Sequence, residues 1–210
     1  MYDLEEQEQI DALKAWWKEY GRTVIVAAVA AILAAGATFG WREYRQSQVQ
    51  KASAVYGALE QAARAGDQKQ VRELAAQLMD KYGSSAYGAM AALVAAKANF
   101  DAGDLKSASA QLEWASDNAR DDETQAVARL RLAGVRLDEK KYEDALKLLE
   151  QPHPESFAGL YADMRGDVLV AQNKLPEAKA AYKVALEKLP TEGNYRVLVQ
   201  VKLDGIGGAN

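Results

Sequence analysis

Apolar and polar positions along this chain follow two different patterns, which change over near residue 41. Thr23 to Gly40 reads TVIVAAVAAILAAGATFG, eighteen residues without a charge. An apolar run of that length predicts a helix of about 27 Å at 1.5 Å rise per residue, close to the hydrocarbon thickness of a bilayer. From Arg42 onward the apolar residues instead recur at three- and four-residue spacing, with almost no two-residue alternation. That pattern predicts a succession of amphipathic helices and no sheet. Residues 4–20 show the same spacing, with Ile10, Leu13, Trp17 and Tyr20 on one stripe and acids opposite. They read either as a separate docking helix or as an extension of the apolar one.

The helical part is punctuated at regular intervals. Ala65-Gly66-Asp67, Ala102-Gly103-Asp104, Glu139-Lys140-Lys141 and Gln172-Asn173-Lys174 recur about every 35 residues, the period of helical-hairpin repeats. In the last unit Gly166, Leu169, Ala178, Tyr182, Ala185 and Pro190 stand at tetratricopeptide spacing. Gly166 and Ala178 are small where two helices must cross closely. Pro190 ends the second helix because it has no N–H and its ring clashes with the preceding turn. Ala96, Ala108, Leu112 and Ala115 hold the matching places in the second unit, and Ala133, Tyr142, Ala145 and Leu149 in the third, which breaks at Pro152-His153-Pro154. The first unit keeps only Leu59, Val71, Ala75 and Leu78, as expected of an end repeat. The expected fold is therefore all-α: one N-terminal transmembrane helix, then a tetratricopeptide-like α-solenoid of about four helical hairpins. The expected divisions are a head over 1–22, the span over 23–41, repeats over 42–204 and a flexible tail over 205–210. Val197, Leu198, Val201 and Leu203 predict a final helix that caps the stack.

The flanks of the apolar run bear on what it does. Trp16, Trp17 and Tyr20 precede it, Trp41 and Tyr44 follow it, and Arg22 and Arg42 close it. Aromatics at both ends fit the two interfacial belts of a membrane span, with lipid around residues 23–41. A buried core helix or a signal peptide cleaved after Ala35-Gly36-Ala37 are the alternatives, but the long, acidic, tryptophan-bearing head is unlike a signal's basic leader. Lys14, Lys18 and Arg22 before the span match Arg42, Arg45 and Lys51 after it, so the positive-inside rule does not orient it. Gly36 and Gly40 form a small-xxx-small pair that suits close packing against another membrane helix.

The net charge is −4, most of it in the first 22 residues. The repeats are therefore close to neutral and lack the basic footprint that nucleic acid requires. There is no cysteine and one histidine, His153, which excludes disulfides, thiolate chemistry and ordinary zinc sites. The Gly205-Ile206-Gly207-Gly208 run is not expected to open a helix that could hold a phosphate, and Asp121-Asp122-Glu123 reads as a helix start, not a calcium loop. No catalytic or cofactor site is expected. The useful surface of such a stack is its concave side. By register the candidates there are Tyr56, Glu60, Met90, Leu93, Lys97, Phe100, Leu130, Asp163 and Asp167, with ordinary inter-repeat core the favoured alternative for the apolar ones.

The run from Glu8 to Leu59, with its Ile10-Asp11-Ala12-Leu13-Lys14 helix and Gly40-Trp41-Arg42 exit, resembles the start of the YfgM family, ancillary subunits of the bacterial SecYEG translocon. Tyr87-Gly88-Ala89, Leu130-Arg131-Leu132-Ala133 and the stretch from Ala162 to Asp167 also resemble that family's runs. The resemblance implies a cytoplasmic N-terminus, an inner-membrane span and periplasmic repeats. It implies partnership with SecYEG and with the membrane-anchored chaperone PpiD, contact with exported client polypeptides, and a link to a cytoplasmic response regulator. It implies no enzyme. A repeat scaffold that organises cell-wall or division machinery is the alternative use of the same architecture.

Overall fold

The computed structural model describes the backbone of residues 2–207 and the side chains of residues 8–207. Among the described residues there are nine α-helices, one short 3-10 turn and no strand. They divide into two compact units, with the boundary between Gln50 and Lys51. The side chains of Asp3, Glu5 and Glu6 in the acidic head lie outside the described residues.

Up to Gln50 the first unit is helix α1, whose full range is Tyr2–Ala65. The expected helix at 4–20 is thus an extension of the apolar one. The uncharged run keeps its side chains on the outside: Ile32, Leu33 and Phe39 are each about 70% exposed, and none of the most apolar eighteen-residue window is buried. This helix is long and apolar enough to cross a membrane. The hydroxyl of Thr38 donates to the Ala35 carbonyl at 2.8 Å, so the one polar side chain near the end of the run is satisfied locally. Trp16 and Tyr20 lie with ring centroids 5.9 Å apart before the run, and Trp41 and Tyr44 6.2 Å apart after it.

The second unit begins with the last turns of α1 and continues through α2 (Gln68–Tyr82), α3 (Ala86–Asp101), α4 (Leu105–Asn118), α5 (Asp122–Asp138), α6 (Tyr142–Leu149), α7 (Ala158–Ala171), α8 (Leu175–Lys188) and α9 (Asn194–Gly207). The end of α1 pairs with α2, α3 with α4, α5 with α6 and α7 with α8, giving four hairpins and a ninth helix over the last. Gly66, Gly103, Lys140 and Asn173 all have positive φ, between 60° and 77°. At each reversal the residue after the positive-φ position donates its N–H back to the preceding helix, as in Asp67 to Ala62, Asp104 to Asn99, Lys141 to Arg136 and Lys174 to Leu169, at 2.8–3.0 Å. This closure satisfies carbonyls that the helix end leaves open. In the first two turns the same residue then starts the next helix: Asp67 and Asp104 accept from Gln70 and Ser107 N–H at 3.0 Å. Asp121 caps α5 through Thr124 N–H at 2.7 Å, so the acidic run there is a helix start.

The core is built largely of alanine. Ala52, Ala62, Ala75, Ala91 and Ala95 pack with Leu59, Val71 and Leu78 in the first cluster, and Ala126, Ala133 and Ala145 with Leu149, Tyr161 and Val168 between the third hairpin and α7. Small side chains let the helices approach closely. Gly166 carries this furthest: a Cβ there would overlap the ring of Tyr182 on α8. Helix α6 has 8 residues where α2, α4 and α8 have 14 or 15. The chain then crosses through Pro152-His153-Pro154. His153 stacks on Tyr161 with centroids 4.0 Å apart, and Arg129 donates to the Pro152 carbonyl at 2.8 Å. The single histidine therefore serves as packing. Helix α9 runs through Gly207, and Ile206 packs on the last core cluster. The start of the expected flexible tail is thus ordered helix, and 208–210 lie outside the described residues.

Two predictions follow from backbone and packing. Lys140 is an L-residue held at φ 61°, a conformation that costs about 1–2 kcal/mol without a glycine. Lys140→Gly is expected to stabilise the chain by roughly 0.5–1 kcal/mol after the entropy that glycine adds to the unfolded state. Gly166→Ala is expected to destabilise it by about 1–3 kcal/mol through overpacking against Tyr182. Denaturant midpoints of the full chain check both signs.

Candidate protein-binding groove

The first helices of the hairpins line one side of the repeat unit. On α3 the residues Met90, Leu93, Lys97 and Phe100 step by three or four positions, which places them on one helical stripe. Met90 is 38% exposed and Phe100 41% exposed. The end of α1 brings Tyr56, Glu60 and Arg64 to one flank of that stripe, and α5 brings Arg131, Gly134 and Asp138 to the other. Two adjoining hollows result, of about 490 and 480 Å³. They share Lys97, Asp101 and Arg131 as a common wall. The second is floored by Phe100, Leu112, Leu137 and Met164.

The charges of this groove are partly matched within it. Lys97 Nζ sits 2.7 Å from Asp101, and Arg64 is 3.8 Å from Glu60. The Tyr56 ring packs at 5.5 Å from that of Tyr87, and burial, then the neighbouring Glu60 charge, raises its hydroxyl above the ordinary tyrosine range. The surface is thus mainly apolar, with a few fixed polar groups. Such a surface suits an extended or helical stretch of polypeptide better than a small charged molecule. Among the described residues no group of three or more histidine, aspartate or glutamate side chains is placed to hold a metal ion.

Of the expected concave-face residues, Tyr56, Glu60, Met90, Leu93, Lys97 and Phe100 come together here. Leu93 serves both roles, since it also packs against Ala96 and Ala92 in the core. The other three do not join them. Leu130 packs into the core between α5 and α7, beside Ala133 and Tyr161. The open stripe of α5 is one position further on, at Arg131, Gly134 and Asp138. Asp163 is only 1% exposed, and Asp167 is partly buried beside it. Both face α9, whose Lys202 reaches Asp163 at 2.9 Å and Asp167 at 2.7 Å. Tyr195 donates to Asp163 at 2.6 Å and Tyr182 to Asp167 at 2.7 Å. The chain's own last helix thus occupies the place that these two aspartates were expected to offer a partner. Arg131, Asp138 and Met164 also line the groove and were not among the expected positions. A methionine at 164 between charged neighbours was the available signal for the last. Gly36 and Gly40 have open space where a Cβ would stand.

A stack of helical hairpins with an open apolar groove on one side defines a tetratricopeptide-like repeat protein. The model of the tetratricopeptide repeat-like domain family matches residues 14–208. A Neisseria gonorrhoeae protein named ancillary SecYEG translocon subunit is 37% identical over 97% of this chain and 98% of its own length. Proteins of the same name from Haemophilus influenzae and Escherichia coli are 33% and 30% identical, over 88% and 96% of this chain. The chain belongs to the family of ancillary SecYEG translocon subunits.

The cap over α7 gives a pH prediction. Burial alone would lower the Lys202 pKa, but the hydrogen bonds it donates to Asp167 and Asp163 outweigh that and raise the value above the ordinary 10.5. Burial, then the carboxylates they donate to, also raise Tyr182 and Tyr195 well above 10.0. Groups with raised folded pKa values contribute their full stabilisation below the unfolded value and lose it as pH rises through the folded one. The α9 cap is therefore expected to hold through neutral pH and to loosen above about pH 10. Lys202→Met leaves Asp163 buried beside no cation and is expected to cost on the order of 3 kcal/mol. Hydrogen exchange of the α9 amides, compared with those of α3, reads both effects.

Proposed function

We propose that this chain is a single-pass ancillary subunit of the SecYEG translocon, in which residues 1–22 form a cytoplasmic head, 23–41 the inner-membrane span and 42–204 a periplasmic repeat domain. The groove on α3 carries the reading. It is open and largely apolar, and an apolar face of this kind can hold an unfolded segment without selecting a fold. Relatives matched along nearly their whole length carry the translocon name. In this role the repeats receive exported polypeptides as they emerge, in partnership with PpiD, and pass them to periplasmic folding factors. Gly36 and Gly40 offer the close-packing face toward another membrane helix, and the acidic head is the part available to a cytoplasmic response regulator. The work is adaptor work and needs no catalytic group.

A reporter fused after Asn210, beyond the α9 cap, together with a photo-crosslinking residue at Phe100 or Ile32, tests this in intact cells. The expected outcome is a periplasmic reporter, exported chains captured from position 100 and SecYEG or PpiD subunits from position 32. A cytoplasmic reporter, or adducts confined to cell-wall enzymes, would replace this reading with an envelope scaffold.

A further inference from the structure

Resting on the reading of the groove as a polypeptide site, we infer that it selects apolar segments that carry one acidic side chain, and that Arg131 is the seat of that acid. Three arginines project from α5. Arg129 donates to Ser116, Gln125 and the Pro152 carbonyl. Arg136 is held by Ser109, Glu113 and Glu139. Arg131 has no hydrogen bond and no ion pair among the described residues, and it stands on the wall common to both hollows. The other cations of the groove, Lys97 and Arg64, already face Asp101 and Glu60.

While the groove is open, water satisfies the Arg131 guanidinium. An apolar segment laid over Met90, Phe100 and Met164 removes that water. Without an acceptor on the ligand, a charged donor is then left unsatisfied, which opposes binding. A carboxylate at that point accepts from the planar fork and turns the cost into a charge-assisted pair. Asp138 sets the limit of the preference. It lies seven residues along α5 from Arg131, roughly 10 Å by helical rise, lines the second hollow and has no ion-pair partner among the described residues. A second acid there is repelled, whereas a base is tolerated. The occupant is thus an apolar stretch of another polypeptide with a single carboxylate, and not a poly-acidic tail.

The test uses the full chain in nanodiscs, with empty discs as baseline, and labelled nine-residue peptides of Leu, Val, Phe and Ser that differ only in a central Asp, Asn or Lys. Fluorescence anisotropy is expected to show the Asp peptide binding about tenfold more tightly than the Asn peptide, with the Lys peptide weakest. Arg131→Met should erase the Asp advantage by bringing the Asp and Asn peptides to equal affinity, and Arg131→Glu should favour the Lys peptide. Because Arg131 is exposed, both variants should keep the wild-type unfolding midpoint. The peptide series on the unaltered protein stands independently of them. Equal binding of all three peptides would overturn the preference for an acid and leave the groove reading intact. Absence of any binding would overturn the groove reading and this inference with it. Concentration-dependent self-association that Arg131→Glu abolishes, with no competition from peptide, would identify the occupant as a second copy and overturn the inference alone.

Discussion

Each hairpin in the repeat unit depends on one backbone constraint: the chain must reverse direction between two helices within a few residues, and a residue at positive φ accomplishes it. Gly66, Gly103, Lys140 and Asn173 occupy that conformation in turn, and each is followed by a residue whose N–H closes the preceding helix. A tight reversal leaves no slack between the two helices, so their contact must be made by small side chains. That explains the alanine-rich core and the glycine beneath Tyr182. Close pairing within hairpins in turn lets the first helices lie side by side, and the stripe on α3 becomes the floor of a groove instead of the interior of a thicker core.

The groove also needs an end. The last repeat presents the same kind of face as those before it, and the element packed on that face is a single helix instead of another hairpin. Helix α9 supplies the missing neighbour, and the match is made by charge as well as by shape. Asp163 is buried at the cost of its hydration, and Lys202 with the Tyr195 hydroxyl offsets that cost. A merely apolar cap could slide along the stack. One cation between two carboxylates, with a hydroxyl on each, fixes where α9 sits. The polar network thus contributes position more than affinity, and it closes the stack without occupying the groove on α3.

Much of this was legible in the sequence because the signals were local. Eighteen residues without charge, aromatics at both ends and a turn about every 35 residues are read from neighbouring positions alone. The Gly166 crossing was legible for the same reason, since only a small residue meets the spacing. The site was harder to read. On α3 a single stripe carries both apolar and charged residues, and six of the nine expected positions came together. On α5 the choice between Leu130 and Arg131 is a rotation of about 100°, and the apolar residue goes inward, as burial favours. The two aspartates on α7 looked like surface because nothing nearby in sequence pairs them. Their partner lies 35 to 39 residues downstream, on a helix whose apolar pattern announced only a cap. The short α6 was visible as a proline break, but its stacking of His153 on Tyr161 was not.

The size of the groove constrains how it can work. Two hollows of just under 500 Å³ each hold only a few side chains. Ordering an extended segment costs conformational entropy at every residue, so under the proposed reading a groove this small holds an unfolded chain only briefly. For an adaptor that passes polypeptides onward, brief tenure is an advantage, because a tight complex would have to be broken before folding could proceed. In the proposed role, membrane attachment compensates for weak intrinsic affinity by confining the groove near the source of its ligands, which raises their effective concentration without any new contact. A fixed polar group then matters more than its small energy suggests. In the proposed role, among many apolar stretches of similar affinity, one guanidinium on the wall of the groove decides which of them stay long enough to be passed on.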